Sequence, residues 1–165
     1  TLAKVIYESI AYKFEASCFI PNIREQTKKH GLLYLQIQLI SQILGESETN
    51  IQINTCVATS MIANRIRQRR VLIILDDMDG DEQVQALAGS HDWFGQGSRI
   101  IITSRDLHFL KIVLRDVGDV GDDTYLVELL NNEEALELFS WKAFKKPHPE
   151  KNYVELSKDI VSYAQ

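Results

Sequence analysis

Short runs of apolar residues alternate along this chain with longer segments in which apolar residues recur every three or four positions. The clearest run covers residues 71–75, and three further runs cover residues 17–20, 99–103 and 125–128. A short run rich in β-branched residues predicts a strand that is buried on both faces, as in a parallel sheet. The sequence therefore predicts four short strands.

Helical periodicity occupies the segments between these runs. It predicts helices at residues 2–10, 32–44, 57–68, 81–88 and 107–114, and two more after residue 131. Asn131 and Glu134 have the spacing of a capping box at the start of this last region. The polar segments at residues 46–54 and 116–124 are predicted loops. Strands that alternate with helices predict an α/β fold with a parallel sheet, and we expect a helical subdomain after residue 130.

Composition and charge are those of an ordinary globular domain, with 45% hydrophobic and 25% charged residues among 165. The formal net charge of −5 argues against a general nucleic-acid-binding surface. No apolar run is long enough to span a membrane. Two cysteines, Cys18 and Cys56, are too few for a disulfide scaffold and suit a reducing compartment. The chain has no initiator Met and begins with helical spacing, so we expect a fragment.

The candidate chemistry lies directly after the run at residues 71–75, where Asp76 and Asp77 follow the predicted strand. Ligands of open parallel sheets bind outside the carboxyl ends of the strands. Two adjacent carboxylates repel each other unless a cation separates them, and Mg²⁺ binds one or two carboxylates together with substrate phosphates. A buried strand that ends in a solvated acidic turn explains the pair equally well. Asp79 and Glu82 have capping-box spacing, so Asp79 is expected to cap the next helix.

Four ordered blocks of the sequence resemble one protein family. Residues 71–79 resemble the Walker B, or kinase-2, motif, and residues 97–106 resemble the next block, whose usual Thr-Thr-Arg is Thr-Ser-Arg here. Residues 19–32 and 129–144 resemble the blocks that follow the first helix and open the ARC1 subdomain. The chain thus resembles the nucleotide-binding (NB-ARC) domain of plant disease-resistance receptors, within the STAND class of P-loop NTPases. Asp79, where a Trp would be the alternative, resembles the subclass that carries a TIR domain.

The resemblance implies a parallel-sheet P-loop NTPase core at residues 1–130, followed by the N-terminal part of the helical ARC1 subdomain at residues 131–165. In the family, Thr-Leu-Ala follows the Gly-Lys-Thr of the P-loop, so Thr1 would lie beside the bound nucleotide. The P-loop strand would then precede Thr1 and is missing from this chain. The family places that strand between the strands that match residues 99–103 and 125–128.

The resemblance also implies roles for single residues. Asp76 would bind Mg²⁺ directly or through water, and Asp77 would polarise an attacking water in any hydrolysis. Arg105 would sense the γ-phosphate of ATP, with Thr103 as a further nucleotide-binding residue, because the third phosphate adds negative charge within reach of a cation. A surface ion pair with a neighbour is the alternative for Arg105. For Arg24, no motif fixes a role, and a plain surface position is the simpler interpretation.

The function implied by the resemblance is a switch that rests with ADP and signals plant defence after exchange for ATP. The implied partners are TIR and leucine-rich-repeat domains of a full receptor and further copies of it, in the cytoplasm or the nucleus, without direct nucleic-acid binding. Hydrolysis would be slow at most. One alternative is a P-loop ATPase whose turnover is itself the output. The other is a phosphoacceptor receiver domain, which ranks last because its acidic pair lies near the chain start and its last strand needs a terminal Lys, whereas Glu128 stands here.

Overall fold

The computed structural model describes residues 2–45, 55–117 and 124–164 of the chain. The chain forms two compact units, Thr1–Asp122 and Asp123–Gln165. Thr1, residues 46–54, residues 118–123 and Gln165 lie outside the described residues. The whole of the predicted loop at 46–54 and most of the one at 116–124 therefore lie there as well. The assignment of residues 1–130 to a nucleotide-binding subdomain and of residues 131–165 to ARC1 stays a prediction.

The first unit contains a parallel sheet of three strands: β1 (Ala16–Ile20), β2 (Val71–Leu75) and β3 (Arg99–Ile102). The central strand is β2, which pairs with β1 on one edge and with β3 on the other. Ile73 of β2 lies opposite Cys18 of β1 and Ile100 of β3. The predicted α/β fold with a parallel sheet is therefore confirmed.

Helices surround this sheet in the first unit. Within the described residues they are α1 (Leu2–Ile10), α2 (Ile23–His30), α3 (Leu32–Leu44), α4 (Thr55–Ile66), α5 (Asp81–Ala88) and α6 (Leu107–Val117). Single turns of 3₁₀-helix lie at Ala11–Lys13 and His91–Trp93. The pattern predicts all of the α-helices except α2, whose residues are mostly polar.

Side chains of β2 alternate between two hydrophobic clusters. Val71, Ile73 and Leu75 belong to the larger cluster, together with buried residues of α3, α4 and α5. Leu72 and Ile74 belong to a smaller cluster with Ala3 of α1. Because successive residues of a strand point to opposite faces, β2 is buried on both sides, as the unbroken apolar run predicts.

A side chain closes the outer edge of β1. The Phe19 backbone N–H donates to Gln42 Oε1 at 3.0 Å, and Gln42 Nε2 donates to the Phe19 carbonyl at 3.4 Å. An added strand would use the same two backbone groups. On the far side of the sheet, no strand within the described ranges pairs with the second edge of β3.

The second unit contains α7 (Asn132–Phe144) and α8 (Val154–Ala164), with a turn of 3₁₀-helix at Lys151–Tyr153 before α8. The predicted capping box is present. Asn131 Oδ1 accepts the Glu134 backbone N–H at 2.9 Å, and Glu134 Oε2 accepts the Asn131 backbone N–H at 3.0 Å. Each bond satisfies a backbone group that a helix end would otherwise leave unpaired.

Residues 125–128 do not form the predicted fourth strand. They are irregular, and Tyr125, Leu126 and Val127 are exposed. A strand is held by hydrogen bonds to a neighbouring strand, and no strand in the described ranges pairs with this segment. An apolar run without a partner gains neither a ladder nor a buried face, so the prediction of a strand here is wrong.

Candidate functional site

The carboxyl ends of the three strands meet at one edge of the sheet, and backbone bonds extend the pairing beyond them. The Asp76 N–H donates to the Ile20 carbonyl at 3.0 Å, and the Ile23 N–H donates to the Asp76 carbonyl at 2.9 Å. On the other side, the Thr103 N–H donates to the Leu75 carbonyl at 3.0 Å. The acids that follow β2 are therefore held between the ends of β1 and β3, as the rule for parallel sheets predicts.

Asp76 is buried at this edge, with 6% of its surface exposed. The Thr103 hydroxyl donates to Asp76 Oδ1 at 2.8 Å and accepts the Asp77 backbone N–H at 2.9 Å. One hydroxyl therefore orients the carboxylate of the first acid and the backbone of the second. No side chain among the described residues bonds Asp76 Oδ2, which leaves that oxygen as the one that could face a cation.

Asp77 adopts a left-handed backbone conformation, with φ of 60°. This region costs a residue with a Cβ about 1 kcal/mol, although Asp tolerates it better than most. The Asp77 carboxylate lies between two arginines: Arg24 Nε is 3.4 Å from Oδ2, and Arg105 Nε is 3.1 Å from Oδ1. Backbone strain at a residue whose side chain is held on both oxygens is typical of a functional position.

Arg24 reaches Asp77 because α2, which follows β1 in the chain, begins beside the carboxyl end of β2. The first helical N–H groups have no partner within a helix, and here two of them bond the β2 end. The Ile23 N–H donates to the Asp76 carbonyl, and the Arg24 N–H donates to the Asp77 carbonyl at 3.0 Å. Arg24, for which the sequence favours a plain surface position, is partly exposed and forms an ion pair with Asp77. Its position four residues after the apolar run at 17–20, at the same sheet edge as the acids, is the signal that could have indicated this pairing.

Arg105 and Thr103 lie where the sequence predicts, at the carboxyl end of β3. Arg105 pairs with Asp77 and not with its neighbour Asp106. Asp106 instead caps α6, since its Oδ1 accepts the backbone N–H groups of His108 and Phe109 at 2.8 and 3.2 Å. The edge thus brings together Asp76, Asp77, Thr103 and Arg105. Thr1, the remaining candidate, lies outside the described residues.

Asp79 does not cap α5 as predicted. The N-cap of α5 is Gly80, which has no side chain to accept a bond. Asp79 instead exchanges two bonds with Gln83: its backbone N–H donates to Gln83 Oε1 at 3.0 Å, and its Oδ1 accepts from Gln83 Nε2 at 2.7 Å. The helix starts one residue later than the capping-box spacing implies, so Glu82 is not the partner.

The residues present suit Mg²⁺ only together with a phosphate. Mg²⁺ keeps several waters and is bound by one or two carboxylates plus phosphate oxygens. Asp76 supplies one such carboxylate, and no group of three or more His, Cys, Asp or Glu in the described ranges could hold a metal alone. The sequence contains no Gly-Lys-Ser/Thr, so the backbone cradle that binds phosphates in P-loop proteins is not in this chain. In the part of the chain described, no helix is long and apolar enough to cross a membrane.

A buried parallel strand that ends in two acids, beside an arginine from the next strand, is an arrangement found in nucleotide-binding α/β proteins. The chain belongs to the NB-ARC domain family, whose model matches residues 1–149. The family predicted from the sequence is therefore confirmed.

Several plant proteins are similar to the whole of this chain. Disease resistance protein RPV1 of Vitis rotundifolia is 44% identical to it, and disease resistance protein RUN1 of the same species is 43% identical, each over 100% of the chain. TMV resistance protein N of Nicotiana glutinosa is 37% identical, again over 100% of the chain. The chain spans 11%, 12% and 14% of the lengths of these three relatives.

Proposed function

We propose that this chain is part of an ADP/ATP switch in an intracellular plant immune receptor of the TIR-NBS-LRR type. In this proposal the receptor rests with ADP, exchanges it for ATP, associates with further copies and signals defence. Residues 1–130 belong to the nucleotide-binding subdomain, and residues 131–165 begin ARC1. The proposed compartment is the cytoplasm or the nucleus, and the names of the similar plant resistance proteins support the immune role.

The nucleotide roles follow from the chemistry of the sheet edge. Asp76 contributes a carboxylate to Mg²⁺, and Thr103 holds that carboxylate in place. Arg105 binds the third phosphate, and Thr1 contacts the nucleotide, as the family resemblance implies. Mg²⁺ supplies charge neutralisation of the phosphates when it is bound. The residues of this chain orient that ion and distinguish the triphosphate from the diphosphate.

The observation that carries a switch, in preference to a turnover enzyme, is the ion pairing of Asp77. Each Asp77 oxygen lies within ion-pair distance of a guanidinium group, at 3.4 and 3.1 Å. A move of Arg105 from Asp77 to the third phosphate would link the bound nucleotide to the charge balance at this end of the sheet. That link supports a switch whose state depends on the nucleotide. The receiver-domain alternative is set aside, because the chain belongs to the NB-ARC family.

The test is the nucleotide content and preference of the full-length natural protein that carries this chain. We expect the purified protein to release ADP on denaturation and to hydrolyse ATP slowly. Arg105→Ala should reduce affinity for a non-hydrolysable ATP analogue roughly tenfold more than affinity for ADP, because charge-assisted hydrogen bonds contribute about 1.5–3 kcal/mol. Rapid steady-state turnover would favour the ATPase alternative, and an unchanged affinity ratio would remove the sensor role of Arg105.

A further inference from the structure

Asp77 shares one carboxylate between two arginines that come from different elements. Arg24 of α2 is paired with Oδ2, and Arg105, after β3, is paired with Oδ1. One negative charge therefore faces two positive charges. The two guanidinium groups compete for Asp77, because like charges held close to a common partner repel each other.

The fold holds the two arginines differently. The Arg24 backbone N–H donates to the Asp77 carbonyl at 3.0 Å, so the residue is attached to Asp77 through the main chain as well as through the side chain. The Arg24 side chain is 36% exposed, whereas that of Arg105 is 77% exposed. Arg24 is thus the fixed partner of Asp77, and Arg105 is the partner with room to leave.

We propose that Arg24 is a positioning residue that lets Arg105 exchange between the Asp77 carboxylate and a nucleotide phosphate. This inference rests on the proposed nucleotide switch. When Arg105 leaves, Asp77 keeps one cation, and its carboxylate, only 19% exposed, is not left unpaired. Repulsion from Arg24 also weakens the pair between Arg105 and Asp77. Both effects lower the cost of moving Arg105, so Arg24 favours the triphosphate without contacting it.

The direction of the effect separates this role from a structural one. Without the Arg24 charge, Asp77 has Arg105 as its single cation and holds it more tightly. The Arg105 side chain is then less free to bind the third phosphate, so affinity for ATP falls while affinity for ADP stays the same. A substitution that only destabilised α2 would weaken the binding of ATP and of ADP equally, because its effect would not depend on Arg105.

The test is a double-mutant cycle on the full-length natural protein that carries this chain. Dissociation constants for ADP and for a non-hydrolysable ATP analogue are measured by calorimetry in the presence of Mg²⁺. The four proteins are the parent, Arg24→Gln, Arg105→Gln and the double variant. We expect Arg24→Gln to lower the ATP-to-ADP affinity ratio roughly fivefold or more, as for coupled sites. In the Arg105→Gln background the same change should leave the ratio unaltered.

Matched variants complete the design. Lys29→Gln removes a positive charge from an exposed position in the last turn of the same helix and should leave the ratio unchanged. Arg24→Lys keeps a cation and should therefore retain part of the ATP preference that Arg24→Gln loses. Arg24→Met keeps the aliphatic part of the side chain without its charge. Arg24→Met should behave like Arg24→Gln and replaces it in the cycle if the glutamine variant folds poorly.

Two results would overturn the positioning role. One is an unchanged ratio in the charge-neutral Arg24 variants, and the other is an equal change of the ratio with and without Arg105. Failure of the proposed function has a different signature, since the parent protein would then bind neither nucleotide, and that outcome would overturn this inference as well.

Discussion

The Thr103 hydroxyl bonds both acids that follow β2, so its removal should weaken the hydrogen bonding of both. Thr103→Val keeps the shape of the side chain but removes the bonds to Asp76 Oδ1 and from the Asp77 N–H. Each buried group left unpaired costs about 1–3 kcal/mol. We expect hydrogen exchange of the Asp77 amide to become at least tenfold faster, measured by mass spectrometry. Thr103→Ser should retain slow exchange, and equal rates in the two variants would contradict this account.

Asp76 and Asp79 follow the same strand but should differ in their effect on nucleotide binding. Asp76→Ala should abolish most of the Mg²⁺-dependent part of ADP affinity, since it removes the proposed metal ligand. Asp79→Ala removes a side-chain bond to Gln83, which is worth about 1 kcal/mol, and should leave ADP affinity unchanged. Calorimetry with Mg²⁺ and with EDTA measures both. Equal losses in the two variants would show that the distinction is false.

The two cysteines should react with thiol reagents at different rates. Burial raises the pKa of the Cys18 thiol to about 12, because desolvation disfavours the thiolate. The reactive thiolate of Cys18 is therefore nearly absent at pH 8, while Cys56 is exposed. Peptide mapping after maleimide treatment of the natural protein at pH 8 should find Cys56 labelled. Cys18 should stay unlabelled until denaturant is added, and rapid labelling of Cys18 without denaturant would contradict its burial.

The same shift gives a direction for stability against pH. The folded state binds the Cys18 proton more tightly than the unfolded state does. Its contribution to stability is complete below the unfolded pKa of about 8.5 and is lost as pH rises from there toward 12.

At the scale of single elements, the sequence predicts those that pack by themselves and misses those that depend on partners. The strand β2 can be predicted because its five consecutive residues are all apolar and all buried, whichever face of the sheet they point to. The helix α2 has a single buried residue, Ile23, so it shows no apolar stripe. Its position depends on backbone bonds to Asp76 and Asp77, which no pattern of apolar residues encodes. The ion pair between Arg24 and Asp77 could not be predicted for the same reason.

The error at residues 125–128 has the opposite origin. An apolar run indicates only that a segment could be buried. To form a strand, the segment also needs the edge of a neighbouring strand with which to pair. The acids and Arg105 could be predicted together, because carboxyl ends of parallel strands share one edge of a sheet whatever the details of packing. The choice of ion-pair partners could not, since it depends on side-chain reach between elements.

The edge of β1 provides a prediction at this scale. Gln42→Leu should deprive the Phe19 N–H of its acceptor and speed exchange of that amide about fivefold, as expected for the loss of one net hydrogen bond of about 1 kcal/mol. Gln42→Glu keeps the accepting oxygen and should preserve protection of the amide. Hydrogen exchange of the peptide that contains residues 16–20 measures both variants. The same exchange rate in the leucine variant as in the parent would mean that Gln42 does not protect the edge.

At the scale of the whole molecule, family membership and the α/β class could both be predicted from the order of four short blocks. Those blocks combine local chemistry with burial, and both are visible in a single sequence. The sequence also predicts a separate helical subdomain after residue 130. The start of the second compact unit at Asp123 depends on contacts between distant residues, which a sequence pattern does not contain. The chain also spans a small fraction of its relatives, 11–14% of their lengths, so receptor-level properties are proposals here.

The unequal edges of the sheet limit how copies of this unit could join one another. A sheet with two open edges can add strands from further copies at both sides without limit, which is how fibrils grow. Gln42 occupies one edge, and only the β3 edge is open within the described part of the chain. Pairing with a further strand is therefore confined to the β3 edge, which is the side on which the family resemblance places another strand of the same sheet. Gln42 leaves copies of this unit no second open edge in the described residues through which to stack.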